Sequence, residues 1–416
     1  MKEIQRKYIL NTTLLAMFLI SPFVSSILAF LCLALNIETK ICRIIVGLFF
    51  GLYGYLFIPA FDFDLVRHYE YFESYIGKSI GEFIYLIASN SRPDVLLYSL
   101  YWFLGLFYEN PQIVGFIGAF PFYFLMLLSI DNIFKSYLYE KRRMLSYLIL
   151  ISVFMSLTVP WTFSTMRNGN AIILFVYLAT RERNNRLFLQ DCLLFILPGL
   201  IHFSLFPISA LYILAKYSGM TFIKILSFIM IISFPFIESL LVLLYNILGV
   251  IGGIGYFIAA KINSYIIVGT DVNFYTGSSF RYYFAVLPLL IIVIPLWLYI
   301  DRCKLVGNNK NIVLLHKLTL LVFSFSLCMV KTYMFARIHL LFIYIFPVYM
   351  YVMMYNKFVN RGVRKALAFS MIYLSISFLP SLILGREFRG INPKLFYSNL
   401  FTILDTRVEP EEYWTP

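Results

Sequence analysis

Charge is scarce in this chain. Only 13% of its 416 residues are charged, against roughly a quarter in an ordinary soluble domain. Hydrophobic residues make up 61%, more than a globular core of this length can bury. A soluble globular protein is thereby excluded, and apolar runs near the ~17–25 residues that cross a bilayer recur from end to end. Familiar catalytic signatures are missing as well. The sequence holds no P-loop, no GxGxxG after a strand and no HExxH, so nothing in it points to nucleotide-driven or zinc-protease chemistry. The five cysteines, Cys32, Cys42, Cys192, Cys303 and Cys328, are scattered at spacings that suit neither a metal nor a disulfide. They read as small buried hydrophobes. The first apolar stretch runs on to Leu35 without a small-residue cleavage site, which predicts a retained first span.

What is present is a series of apolar segments. The clearest are Ile41–Ala60, Gln112–Asn132, Leu145–Pro160, Ile225–Leu248, Tyr282–Ile300, Leu314–Lys331, His339–Tyr355 and Ala366–Leu384. With the less regular stretches they predict an all-α, polytopic transmembrane helical bundle of about eleven to twelve spans. Val95–Tyr108 is apolar but only ~20 Å long as a helix, which suits a re-entrant or interfacial helix. Arg167–Thr180 is also short and starts polar. Phe188–Lys216 carries Pro198, Gly199, His202 and Pro207 in its middle, which predicts two short helices meeting at a polar apex. Glu238 falls inside an apolar run and reads as a buried, hydrogen-bonded acid. The glycines from Gly249 to Gly255 read as a hinge in a loop.

The net charge of +13 would suggest nucleic acid in a soluble protein. Here the cations sit in short loops, so they read as topology signals and no nucleic-acid partner is expected. The loops Asn36–Arg43, Ile133–Ser146, Arg181–Gln190, Lys216–Lys224, Asp301–Lys317 and Asn356–Lys365 are rich in Lys and Arg, which places them in the cytoplasm. The alternating segments 61–94, 249–280 and 385–416 are then periplasmic, the first and last of them acidic. This scheme leaves Lys2, Arg6 and Lys7 outside, against the positive-inside bias, unless the first span is split at Pro22. The whole chain reads as one integral membrane domain.

Candidate functional residues gather at the outer ends of spans. Asp62, Asp64, Arg67, His68 and Tyr69 follow the span ending at Ala60. On a helix Asp64, Arg67 and His68 share one face. Arg167 opens a middle span, His202 lies at the expected apex, Arg281 precedes Tyr282, and Arg337 and His339 lie between two late spans with Lys331. A single arginine at a span's end commonly snorkels to lipid headgroups. Four on the outer side, where the positive-inside bias disfavours them, suit a multiply charged phosphate, because the guanidinium fork matches phosphate oxygens. Neighbouring Asp62, Asp64 and His202 suit general-base work on a hydroxyl. A lipid-linked diphosphate sugar meets both needs, since fixed cations stabilise its leaving group.

The run Asp62-Phe63-Asp64-Leu65-Val66-Arg67-His68-Tyr69, with Arg167-Asn168-Gly169-Asn170-Ala171, His202-Phe203-Ser204, Phe280-Arg281-Tyr282-Tyr283 and the late Arg337, resembles the O-antigen and exopolysaccharide polymerases of the Wzy/EpsG type. The likeness covers nearly the whole chain in layout. Asn168 stands where that pattern has Gln, and His68 where it has an aromatic residue. The resemblance implies a GT-C-like, metal-independent membrane glycosyltransferase of the bacterial inner membrane, without cofactor. It would join repeat units carried on undecaprenyl diphosphate, both donor and acceptor, into O-antigen or related surface polysaccharide. A chain-length regulator is a candidate partner. Asp64, Asp62 and His202 become the catalytic candidates. Arg67, Arg167, Arg281 and Arg337 become the diphosphate ligands, with His68, Tyr69, Tyr282 and His339 in support. The rival readings are an O-antigen ligase, which shares the donor, and a lipid-linked oligosaccharide flippase, which would line a pathway through both leaflets.

Overall fold

The structure, a computed structural model, describes residues 2–37, 40–61, 63–89, 95–135, 166–181, 187–251, 254–263, 294–307, 309–329, 334–356, 358–369, 371 and 390–413. Regular structure among them is helical, without a strand. In chain order the helices are α1 (Lys2–Ile20), α2 (Pro22–Ala34), α3 (Lys40–Tyr55), α4 (Asp64–Tyr75), α5 (Ile80–Ser89), α6 (Val95–Gly105), α7 (Gln112–Ile133), α8 (Met166–Thr180), α9 (Phe188–Ile201), α10 (Leu205–Tyr217), α11 (Met220–Ser233), α12 (Ile237–Ile251), α13 (Ile254–Ile262), α14 (Lys310–Cys328), α15 (Met334–Tyr355), α16 (Lys394–Tyr397) and α17 (Leu400–Asp405). Residues 294–302 are helical too. Two compact units result: Met1–Asn185 with Ile196–Phe203 and Phe378–Pro416, and Arg186–Phe195 with Ser204–Ser377.

Among the described residues, α7 and α14 are long and apolar enough to cross a membrane, and α11 with α12 would make a third span if taken together. This is far fewer than the expected eleven or twelve. Part of the difference is that Leu145–Pro160 and most of Tyr282–Ile300 and Ala366–Leu384 lie outside the described residues. Elsewhere proline and polar residues divide apolar runs into short helices. The span expected over Ile225–Leu248 is two helices bent by 97° about Phe234–Phe236. Pro235 lies in that break and has no N–H to continue the ladder. Glu238, expected to be buried, is instead exposed in the first turn of α12, where the helix dipole favours an acid. The expected loop of glycines is also largely helical, with Gly249 in α12 and Gly255 in α13.

The first unit is organised around α3 and α7. Gly47, Gly51 and Gly54 lie on one face of α3, at helical spacing. A side chain added at Gly54 would run into the Gly115 carbonyl, one at Gly115 into the Gly54 carbonyl, and one at Gly51 into the Phe116 ring. Hydrogen in place of side chains lets the two backbones touch. The helices are antiparallel, since Phe50 stacks on Tyr123 at 3.8 Å between ring centroids and Arg43 pairs with Asp131 at the far end. Next to this pair α8 lies on α7, with Met166 over Gly118 and the Asn170 amide donating to the Gly118 carbonyl at 2.9 Å.

The N-terminal span is split. Ser21 caps α2, whose first residue is Pro22, and proline is well suited to an N1 position. The chain folds back there, because Ser25 Oγ donates to the Leu14 carbonyl at 2.7 Å. The acidic segments also meet one end of α3. Tyr55 Oη donates to the Leu404 carbonyl, Gln112 Oε1 accepts from Val408 N, and the Ile58 amide donates to Gly390. α5 begins with a capping box, in which the Glu82 carboxylate accepts from Ser79 N and Ser79 Oγ accepts from Glu82 N. α6 is only 11 residues long. It buries Leu97, Tyr98 and Tyr101 and exposes Leu96, Leu100, Phe103 and, just beyond its end, Phe107.

In the second unit the first half of α9, Phe188–Phe195, packs antiparallel on α10. Phe195 stacks on Tyr212, Phe188 meets Tyr217 edge-on, and Asp191 pairs with Lys216 and accepts from Tyr217 Oη. At 14 and 13 residues each helix is about 20 Å long, short of a full crossing.

Substitution at the α3–α7 contact should be severe for its size. Gly54→Ala is expected to cost about 1–3 kcal/mol or more, because the methyl meets backbone rather than a movable side chain. Gly81→Ala, in open space on α5, should be neutral or gain about 0.5–1 kcal/mol. Thermal unfolding of the two purified variants in one detergent checks the contrast.

Candidate functional site

The polar centre of the first unit is built on α4. Asp64 occupies its first turn, where a carboxylate complements the helix dipole. One turn on, Arg67 Nη2 donates to Asp64 Oδ1 at 2.8 Å, and His68 Nε2 lies 3.3 Å from Oδ2. The i,i+3 and i,i+4 spacing therefore brings these side chains together as helix geometry requires. Arg167, from the first turn of α8, reaches the same carboxylate, with Nη2 3.4 Å from Asp64 Oδ1. A second nitrogen, Nη1, donates to Tyr98 Oη at 3.4 Å. Two arginines separated by a hundred positions in the chain thus share one carboxylate.

α6 supplies the floor. Tyr101 Oη lies 3.2 Å from His68 Nδ1. Burial, reinforced by Tyr98 and Asp64, pushes the Tyr101 hydroxyl well above its ordinary value, so it stays protonated. The two ring nitrogens of His68 are thus held between Tyr101 and Asp64. Both His68 and Tyr101 are fully buried. This relay orders Asp64, and its members are closed to a substrate.

The electrostatics of Asp64 follow. Burial alone would raise its pKa. The hydrogen bond and charge of His68, followed by Arg167 and Arg67, outweigh burial and hold the carboxyl well below the usual carboxylate range. A carboxylate so stabilised is a weak proton acceptor, so its physical role is that of a counter-ion. Two guanidinium groups against one carboxylate leave positive charge in excess, and Arg67 is largely exposed, with 61% of its side-chain surface accessible. The cluster can therefore attract an anion, with the Arg67 guanidinium as its accessible fork.

Other candidates are placed differently. Tyr69 is buried against Gly115 of α7, because a residue five positions after Asp64 lies about 140° round the helix. It belongs to the packing of α4. His202 is buried immediately after α9, its amide donating to the Pro198 carbonyl at 2.9 Å. Asp62, Arg281, Tyr282 and Lys331, and the side chains of Arg337 and His339, lie outside the described residues. Tyr98 and Tyr101 were missed by sequence reasoning. Their signal was a Tyr-x-x-Tyr step in a short apolar helix, where hydroxyls on a buried face need partners. Among the described residues no group of His, Cys, Asp or Glu could hold a metal ion. No family model, curated protein or solved structure matches the chain.

The depressed pKa sets a pH dependence. A lowered folded-state value means that the stabilisation is complete above the unfolded value and fades as pH falls towards the folded one. Asp64→Asn should lower stability by about 1–3 kcal/mol. That deficit should hold steady from about pH 8 to pH 5 and shrink only below about pH 4. Thermal unfolding of wild type and variant across this range checks it.

Proposed function

We propose that the protein is a multi-pass membrane glycosyltransferase of the bacterial inner membrane that joins lipid-linked oligosaccharide repeat units into a surface polysaccharide. The observation that carries this reading is the convergence of Arg67 and Arg167 on Asp64. Like charges repel, and a site that keeps two guanidinium groups together with a surplus of positive charge suits a diphosphate. A polyprenyl diphosphate is also a good leaving group, and cations held in place stabilise its departure. The resemblance of the Asp62–Tyr69 and Arg167–Ala171 runs to Wzy/EpsG-type polymerases supports the same substrate class, and a GT-C-like architecture with it.

The roles within the site shift from the sequence reading. Asp64 holds the arginines in register. Asp62, two residues earlier, becomes the carboxylate best suited to take a proton from the acceptor hydroxyl. Arg281 and Arg337 complete the diphosphate ligands. The fold-back at Ser21-Pro22 supports a periplasmic site. With α1 and α2 folded as a pair, Lys2, Arg6 and Lys7 fall on the side of the basic Asn36–Arg43 loop, and the positive-inside bias extends to the N-terminus.

Deletion of the gene should collapse a glycan ladder to single-unit bands. Loss of all attached glycan with retention of lipid-linked polymer would instead favour an O-antigen ligase, and loss of neither would discard the reading. Joint replacement Arg67→Lys with Arg167→Lys keeps the charge and removes the bidentate fork. It should reduce polymer by a factor on the order of ten to a hundred at equal protein level. Asp62→Asn should lower turnover without changing the thermal midpoint, in contrast to Asp64→Asn.

A further inference from the structure

The second unit holds a cavity of about 240 Å³ lined by α11, α14 and residues 294–301. Its long axis can be read from the helices. On α11 the lining runs from Lys224 to Ile231, and on the neighbouring stretch from Asp301 back to Ile294. Each spans eight residues, or about 10 Å of helix. Both rows begin with a charge and end in aliphatic carbon, so the cavity is a groove with a polar head and an apolar tail. Phe323 of α14 closes its wall, and the rims, Phe228 and Leu298, are 63% and 54% exposed. The groove therefore opens sideways, as a site for an amphiphile from the bilayer must.

Two features at the head define the ligand. Lys224 Nζ and Asp301 Oδ2 are 2.6 Å apart, at side-chain exposures of 45% and 22%. An ammonium has three donors and a carboxylate about four acceptor sites, so Lys224 keeps capacity after making this bond, and Asp301 keeps some even with its Oδ1 3.8 Å from the buried His316 Nε2. Ser227, one turn below Lys224, is 3% exposed, lines the groove, and its Oγ has no hydrogen-bond partner. A buried hydroxyl without a partner costs free energy that a bound polar group would recover.

We propose that this groove is a binding site for one zwitterionic phospholipid of the phosphoethanolamine type. The phosphate sits on Lys224, the ammonium on Asp301, a glycerol or ester oxygen on Ser227 Oγ, and the upper part of one acyl chain along Phe228, Ile231 and Phe323. Charge complementarity selects this headgroup. The Lys224–Asp301 pair carries no net charge, so an anionic lipid would satisfy the lysine and oppose the aspartate. A choline headgroup offers Asp301 no N–H. Among zwitterionic heads, one with a phosphate and a hydrogen-bearing ammonium on a short bridge meets both partners with charge-assisted hydrogen bonds. The groove shares no residue with the arginine cluster and does not rest on glycosyl transfer.

The test uses the purified full-length protein, incubated with an equimolar mixture of phosphatidylethanolamine, phosphatidylcholine and phosphatidylglycerol and read by native mass spectrometry. One ethanolamine lipid should be retained, with a preference over the glycerol lipid on the order of tenfold. Asp301→Asn should abolish that preference, and Ser227→Phe, which fills the groove, should remove the bound lipid. A phosphatidylethanolamine with a photoreactive acyl chain, applied to the unaltered protein, should crosslink to Phe228, Ile231 or Phe323. Equal retention of the three lipids, retention that survives both substitutions, or crosslinks confined to other residues would overturn the proposal. So would a lipid-free dimer in which a second copy covers the groove.

Discussion

The first unit depends on the close approach of α3 and α7. Glycine at positions 47, 51 and 54 faces glycine at 115 and aromatic rings on α7, so the backbones meet with nothing between them. In a bilayer the tails are as apolar as leucine, and helices associate through such fit rather than through expulsion of water. The consequences reach the site. α4 leaves the end of α3 and packs Tyr69 against Gly115, while α8 lies over Gly118 through Met166 and Asn170. One helix, α7, thus positions both elements that deliver the arginines. The buried Arg43–Asp131 pair at the other end of the same crossing adds register more than stability, since removing two charges from water offsets much of their attraction.

The arginine cluster shows why a motif and a mechanism are separate questions. Asp64 looks like a base in the sequence, being acidic and beside a histidine and an arginine. In the folded chain the same neighbours make it a poor one. His68, Arg167 and Arg67 all favour its anion, and its proton affinity falls accordingly. The neighbouring histidine keeps a supporting place, because Tyr101 and Asp64 hold both ring nitrogens in a fully buried position. What remains accessible is Arg67, presented by an anion and a relay that work from beneath.

Broken helices recur through the chain for a common reason. Pro22, Pro235 and the Pro198–Pro207 region each interrupt an apolar run long enough to cross a bilayer as a single helix. Each break leaves backbone groups that must find partners when water is absent. Ser21 supplies one by capping α2, and the Pro198 carbonyl finds another in the His202 amide.

Some of this was legible before folding and some was not. Helix content, the apolar runs, the shared face of Asp64, Arg67 and His68, and the breaks around Pro22 and Pro198 follow from spacing of a few residues, and such local geometry is carried by the sequence itself. The bend at Phe234–Phe236 was not legible, since hydropathy averages across it without registering it. Three decisions belonged to the tertiary structure alone. They are the meeting of Arg167 with Asp64 across a hundred residues, the recruitment of Tyr98 and Tyr101 from a helix that reads as merely apolar, and the pairing of Lys224 with Asp301 above an apolar groove. Each joins segments remote in the chain, and only the packing of the helices determines which of their polar faces meet.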